Sequence, residues 1–394
     1  MAGTHRRSGR SNPGRQRRSL QSPRTRGSRS RRDSPPVPGR SHRSEGRWFR
    51  VGRSEPDRAR DRSLTGVAPR LGTLLVLLTG TALVSVSIGA ARIPVLEIIP
   101  ALLGQIEGTS RSILVHLRLP RVVLAIGVGG ALALAGTTFQ ALLRNPLAEP
   151  YVLGISGGAA VGAVGVLVAG LGARLPWAVP LGAFVGALLA MFLVLRVARA
   201  AGGSRLDSRV LILAGVVVGA FFNAVILLLL SIADVESFRS AIFWMMGNLS
   251  GATWSGNALL ALYILPGTAL LLALARPFDL LARGEDVAFH LGVRVERTKL
   301  LAYVVASLLV AAAVAFAGVI GFVGLIVPHA LRLLWGPGHR LLLPASFLAG
   351  AAFLLMADTV ARVVIAPAEL PTGVITALAG VPLFVFLLVR RGVQ

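Results

Sequence analysis

The chain contains no cysteine, so neither a disulfide framework nor a thiolate metal site can be built from it. Its one lysine, Lys299, follows no glycine-rich phosphate loop, and no nucleotide site is legible. Six histidines (His5, His42, His116, His290, His329, His339) show no paired spacing suited to a metal. His329, alone after a proline, reads as a packing or capping residue. No nucleophile and base stand in a usable arrangement, so no catalytic residue, metal ligand or bound cofactor is assigned. Charge is scarce as well, at 15% of 394 residues, too little to cover the surface of a soluble protein of this length.

What is abundant is apolar sequence. Hydrophobic residues make up 54% of the chain, and mean hydropathy is +0.71. Runs near 20 residues long recur from Leu71 to Leu388, each sufficient to cross a hydrocarbon core of ~30 Å. The expected class is an all-α polytopic membrane protein.

The net charge of +24 suggests nucleic acid until its location is considered. Residues 1–70 hold 20 arginines and five acids (Asp33, Glu45, Glu55, Asp57, Asp61), which leaves +9 for the rest. This stretch is rich in Arg, Ser, Gly and Pro, lacks apolar periodicity, and reads as a disordered tail. It is not a secretory signal, because the first apolar run has full spanning length and no small-residue cleavage pattern follows. Its expected role is to hold the N-terminus in the cytoplasm and touch anionic lipid; an over-extended start codon is the other reading. Without interleaved aromatics or a folded module, nucleic acid is not the expected partner.

Candidate spans are 71–90, 122–142, 152–170, 176–197, 210–232, 255–275, 299–319, 322–335, 341–365 and 373–390. The third is Gly/Ala-rich and the eighth is short, as suits segments buried inside a bundle. Ten spans with both termini inside place most loop bases in the cytoplasm: Arg144, then Arg196 to Arg209, Arg276 to Lys299, Arg332 and Arg340, and Arg390 with Arg391. The segment 91–121 strains that rule, since it sets Arg92, Arg111, Arg118 and Arg121 outside. A weak repeat is present too. Leu132-Ala133-Leu134-Ala135-Gly136 is echoed 182 residues later by Val314-Ala315-Phe316-Ala317-Gly318, each with a proline ten residues on. Two related halves are common in transporters.

The longest cytoplasmic loop between spans is 276–298, where Gly284 and Gly292 bracket a short amphipathic stretch. Such a stretch either lies in the cleft of a partner or rests on the membrane surface. Asp358 and Arg362 stand four apart near one end of a span and so share a face. They form a structural ion pair, or Arg362 reaches the outer surface as a docking cation.

In sum, the sequence resembles the FecCD family of permeases for siderophore, haem and vitamin B12 importers. The resemblance runs through Leu117-Arg118-Leu119-Pro120-Arg121, Ala135-Gly136, Gln140, Arg144-Asn145-Pro146-Leu147-Ala148-Glu149-Pro150 and Leu153-Gly154-Ile155-Ser156-Gly157-Gly158. It continues through Phe243-Trp244-Met245-Met246-Gly247, Gly284-Glu285 with Ala288 and Leu291-Gly292, Gly321 to His329, Arg332, and Glu369-Leu370-Pro371 with Gly373. These motifs cover about residues 70–392 in the family's order.

The resemblance implies a type II ABC importer permease fold over 71–394, with about ten transmembrane helices, in a bacterial inner membrane. It implies a homo- or heterodimer of permeases, a cytoplasmic ATPase dimer that uses ATP and Mg, and an extracytoplasmic substrate-binding protein. Gly284, Glu285, Ala288, Leu291 and Gly292 would then couple to the ATPase. Arg118, Arg121 and Arg362 would receive carboxylates of the binding protein, and Asp207 with Ser208 would narrow the cytoplasmic gate. Arg283 departs from the apolar residue common at that place. The implied cargo is a ferric siderophore or similar chelate, with haem or cobalamin as the alternative. An ion-coupled carrier is the competing class, although no acidic relay crosses the spans.

Overall fold

In hydrocarbon every backbone N–H and C=O must be paired within the chain, and a 20-residue apolar run does so as a helix. The computed structural model describes residues 66–89, 93–105, 108–203 and 206–392, and it is helical throughout with no strand among them. The tail to residue 65, Arg92 and Arg205 lie outside the described residues.

The principal helices are α1 (Val67–Ser87), α2 (Val95–Leu102), α3 (Leu119–Leu142), α4 (Ile155–Val168), α5 (Ala178–Gly202), α6 (Ser208–Ser231) and α7 (Val235–Met245). They continue with α8 (Trp254–Ala273), α9 (Ala275–Leu281), α10 (Glu285–His290), α11 (Val295–Ala317), α12 (Val323–Trp335), α13 (His339–Val363) and α14 (Thr372–Gly392). Seven helices are long and apolar enough to cross a membrane, and three shorter apolar ones, α4, α12 and α14, join them. Each of the ten predicted spans coincides with one of these.

Among the boundaries that differ from expectation, two lie near the tail or near Arg118 and Arg121. The first helix starts at Val67, inside the stretch assigned to the tail. The second span is not confined to 122–142, because helix runs unbroken from Thr109. A π-helical turn, Ile113–Arg118, leads into Pro120. The wider turn accommodates a residue that lacks an N–H, and the helix passes through where sequence suggested a loop.

The centre of the bundle is α3, most of whose residues are buried, with α11 and α13 beside it. Small residues bring these backbones together. A Cβ on Gly129 would strike the carbonyl of Gly350 on α13, and one on Gly136 would strike that of Gly324 on α12. Gly158 and Gly162 of α4 meet Gly186 and Gly182 of α5 in the same way. In lipid, where apolar burial between helices gains little, close packing is the main attraction.

At 14 and 13 residues, α4 and α12 are each only ~20 Å long. Both follow a long helix and a connection without α-helix, that before α4 carrying a 3-10 turn at Pro150–Leu153, and both start from a left-handed residue: Gly154 (φ 75°) and Phe322 (φ 69°). The two connections meet. Glu149 accepts the Phe322 N–H at 2.7 Å, and the Tyr151 hydroxyl donates to the Ile320 carbonyl. Irregular backbone at depth is tolerated where it is buried in protein in this way.

Candidate functional site

Charged groups gather at both ends of the bundle. At the first end, the start of α3 meets the ends of α1 and α13. Arg118, Arg121 and Arg362 come together there, all three buried. Arg121 is bound to Asp358 through Nε at 3.1 and 3.0 Å and Nη2 at 2.9 Å, and its Nη1 reaches Glu369 at 2.8 Å. Arg362 Nε lies 3.3 Å from Asp358 Oδ2. Its Nη2 donates to the Ser85 carbonyl at 2.9 Å and its Nη1 to Ile88 at 3.2 Å. Arg118 donates to the Ser87 carbonyl at 3.3 Å.

Both readings of Arg362 left open by the sequence bear on this arrangement. The ion pair with Asp358 is present, and the three arginines also line one hollow of about 360 Å³ with Glu369 and Pro367. Three cations against two acids leave this hollow net positive. Asp358 and Glu369 come from sequence positions more than 230 residues away from Arg121, so no local pattern pointed to their pairing with it.

At the opposite end lie the close of α3, the starts of α6, α11 and α13, and the loop 276–298. That loop folds as α9 and α10. Gly284 (φ 127°) and Gly292 (φ 85°) supply the two turns that bound α10, in conformations disfavoured for a residue with a Cβ. Ala288 is fully buried and anchors the helix, while Val287, Phe289 and Leu291 are 43%, 67% and 59% exposed. A helix of six residues that, with the capping Leu291 just beyond it, presents three exposed apolar side chains needs a cover.

Glu285 turns inward instead. One of its oxygens lies 3.1 Å from Lys299 Nζ and 3.2 Å from Arg144 Nη2. Lys299 and Arg144 are functional candidates that the sequence reading passed over. The oddity of a single lysine was visible, but its partners were not.

Asp207 and Ser208 stand next to this helix. Asp207 caps α6, accepting the N–H groups of Arg209 and Val210 at 2.7 and 3.3 Å. Ser208 Oγ donates to the Leu142 carbonyl at 3.0 Å. The Arg209 N–H bond, then that of Val210, holds the Asp207 carboxyl below its ordinary range. Asp207, Leu206, Arg144, Gly284 and Glu285 line one hollow of about 420 Å³. Two of the expected coupling residues, Gly284 and Glu285, are thus neighbours of the gate candidate Asp207.

Nearby, Asp279 of α9 accepts both the backbone N–H and Nδ1 of His339, each at 2.8 Å. Burial works to raise the Asp279 pKa, but the two His339 bonds outweigh it and the carboxyl sits below its usual value. This pair ties the α8–α10 region to the start of α13.

The FecCD transport family profile matches residues 75–390, from within α1 to within α14. The chain belongs to the FecCD transport family. One FecCD relative is the cobalamin import system permease protein BtuC of Halobacterium salinarum, 46% identical over 290 residues, 73% of this chain and 76% of the relative. Another is the hemin transport system permease protein HmuU of Yersinia pestis, 40% identical over 344 residues, 83% and 98% of the two chains. A third, the ABC transporter permease protein YvrB of Bacillus subtilis, is 43% identical over 293 residues, 73% and 82%. Among solved structures, an inward-facing metal-chelate-type ABC transporter superposes with a TM-score of 0.73 at 33% identity, covering 81% of this chain and 98% of that one. The FecCD relatives are transport permeases, and both glycine-bounded α10 and the arginine cluster lie inside the matched region.

Proposed function

We propose that this chain is the membrane-spanning subunit of an ATP-driven importer that carries a ferric siderophore or a similar metal chelate into the cytoplasm by alternating access. It works in the inner membrane as one of two permeases, homo- or heterodimeric, with both termini inside. A cytoplasmic ATPase dimer seats against α10 and supplies the force. A substrate-binding protein docks at the opposite end through Arg118, Arg121 and Arg362, whose net positive hollow suits acidic side chains. ATP and Mg belong to the partner, and this chain carries no catalysis.

The observation that carries this reading is α10 within a FecCD match that spans the bundle. Three apolar side chains project from a short helix and its capping residue, held by two glycine turns and a buried alanine, at the end away from the arginines. That is the shape of a helix made to lie in another protein's cleft. Haem or cobalamin is the second reading of the cargo, favoured by the cobalamin and hemin permeases among the FecCD relatives.

The test is reconstitution in liposomes with the partner ATPase and binding protein, offering ferrichrome, haemin and cobalamin in turn. Uptake that requires both partners and ATP supports the proposal, and the cargo accumulated decides among the chelates. Uptake by the chain alone, abolished by an uncoupler and indifferent to ATP, would replace it with an ion-coupled carrier.

A further inference from the structure

We propose that Glu285 is not a contact for the ATPase but an internal tie, which links α10 to the gate segment through Lys299 and to the α3–α4 connection through Arg144. The inference rests on the reading that α10 meets the ATPase, and assigns what happens on the inner side of that contact.

The geometry begins with direction. Glu285 and Asp286 are adjacent acids at the start of α10. Asp286 is exposed, whereas Glu285 points back into the protein and places one oxygen within 3.2 Å of two cations. Those cations come from different segments, one at the close of α3 and one on α11. A carboxylate shared by two separate segments restrains both relative to the helix that bears it.

Lys299 extends the link. Its side chain is only 3% exposed, and a buried ammonium must fill its donor positions. It does so with Glu285 and with the carbonyl of Leu206. Glu296, one turn earlier on α11, accepts the Leu206 N–H at 2.9 Å. Residues three apart share a helix face, so α11 holds both polar backbone groups of Leu206. The next residue is Asp207, the cap of α6. The start of α6 is therefore fastened to α11, and α11 to α10.

Arg144 makes the second branch. Its backbone is left-handed (φ 49°), one of two non-glycine residues in that state among the described residues; the other is Phe322. Both stand at the connections that precede the short helices: Arg144 opens the stretch ending at Glu149, and Glu149 accepts from Phe322. A strained residue persists where its surroundings over-determine it, and Glu285 supplies part of that constraint. Displacing α10 thus pulls on the α6 cap by one route and on the interlocked connections by the other.

Two measurements test this with full-length chain. In lipid nanodiscs without partners, Glu285→Gln should raise hydrogen exchange at Leu206 and the first turn of α6 about fivefold. Unchanged exchange there overturns the tie. In the complete complex, Glu285→Gln and Lys299→Gln should retain ATPase binding within about twofold while the binding protein's effect on ATP hydrolysis falls about fivefold. Lys299→Arg, which keeps a cation able to donate to both Glu285 and the Leu206 carbonyl, should retain part of that effect where Lys299→Gln loses it, a split that a merely structural loss would not permit. If Glu285→Gln weakens ATPase binding and leaves the response per bound ATPase intact, Glu285 is a contact residue and the tie is wrong. Asp286→Asn and Phe289→Ala separate the underlying reading: if neither weakens ATPase binding, α10 is not the docking helix, whatever the exchange data show for Glu285.

Discussion

Arg121 and Asp358 lie 237 residues apart in sequence and form a fork-shaped pair, with three N–O distances of 2.9 to 3.1 Å. Asp358 is wholly buried and stands between two guanidiniums, that of Arg121 on one side and that of Arg362 on the other. Thr372 at the start of α14 donates to it as well, at 3.1 Å. One carboxylate therefore joins α3, α13 and α14.

Removing that carboxylate leaves two buried cations facing each other. Breaking a buried pair by deleting one partner costs about 3–5 kcal/mol, so Asp358→Ala should lower the unfolding temperature in detergent markedly. Glu369 also pairs with Arg121, yet its side chain is 40% exposed, and a pair open to solvent contributes ~1 kcal/mol or less. Glu369→Ala should fold nearly as well as the parent. Equal loss in the two variants would show that burial is not what sets the worth of these pairs.

Glycine positions give a second contrast. A methyl on Gly136 would overlap the Gly324 carbonyl, and one on Gly162 the Gly182 carbonyl. Neither obstacle is a flexible side-chain end, so backbones must separate; overpacking of this kind costs about 1–3 kcal/mol or more. Gly80 of α1 has nothing within 4 Å of the same methyl. Thermal unfolding should fall for Gly136→Ala and Gly162→Ala and stay level or rise slightly for Gly80→Ala. A uniform response would refute glycine-mediated helix contact as the reason for these residues.

The existence of the ten apolar helices was readable because a hydrocarbon core demands length and apolarity in one continuous run. The turns at Gly284 and Gly292 were readable because positive φ selects glycine. Arg118, Pro120 and Arg121 misled, reading together as loop. Their helix survives because a π turn precedes the proline and because Asp358 and Glu369 arrive from the far end of the chain to balance charge. Amphipathic pattern likewise placed Glu285 on a short helix but could not show that it turns inward while Asp286 turns outward. That choice is made by Lys299 and Arg144, residues remote enough that only the folded chain brings them into range.

Asp207 yields a pH prediction. Its carboxyl is held low by the N–H groups of Arg209 and Val210, against about 3.9 when unfolded. Folded below unfolded means the charged cap stabilises α6 fully above the unfolded value and ceases to do so as pH falls through the folded one. Asp207→Asn keeps a good capping group without the charge. Parent and variant should differ above about pH 5 in hydrogen exchange of the first α6 turn, and the difference should shrink toward pH 3. A gap that is constant across that range would mean the cap acts through geometry alone.

The clasp between the two connections supplies the last test. Glu149 takes the Phe322 N–H at 2.7 Å, where Phe322 must hold a left-handed backbone to start α12. Glu149→Gln retains an acceptor oxygen of the same reach, so the bond can persist without the charge. Glu149→Ala leaves a largely enclosed N–H unpaired, a loss of about 1–3 kcal/mol, and removes what holds Phe322 in place. Unfolding temperature should therefore order as parent, then Gln, then Ala, with the larger step at Ala. Tyr151→Phe deletes only the bond to the Ile320 carbonyl and should cost about 0.5–1.5 kcal/mol. Because both bonds join the same two segments, the double variant Glu149→Ala with Tyr151→Phe should fall short of the sum of the singles. Strict additivity would mean that the segments are held independently and that no clasp unites the two short helices.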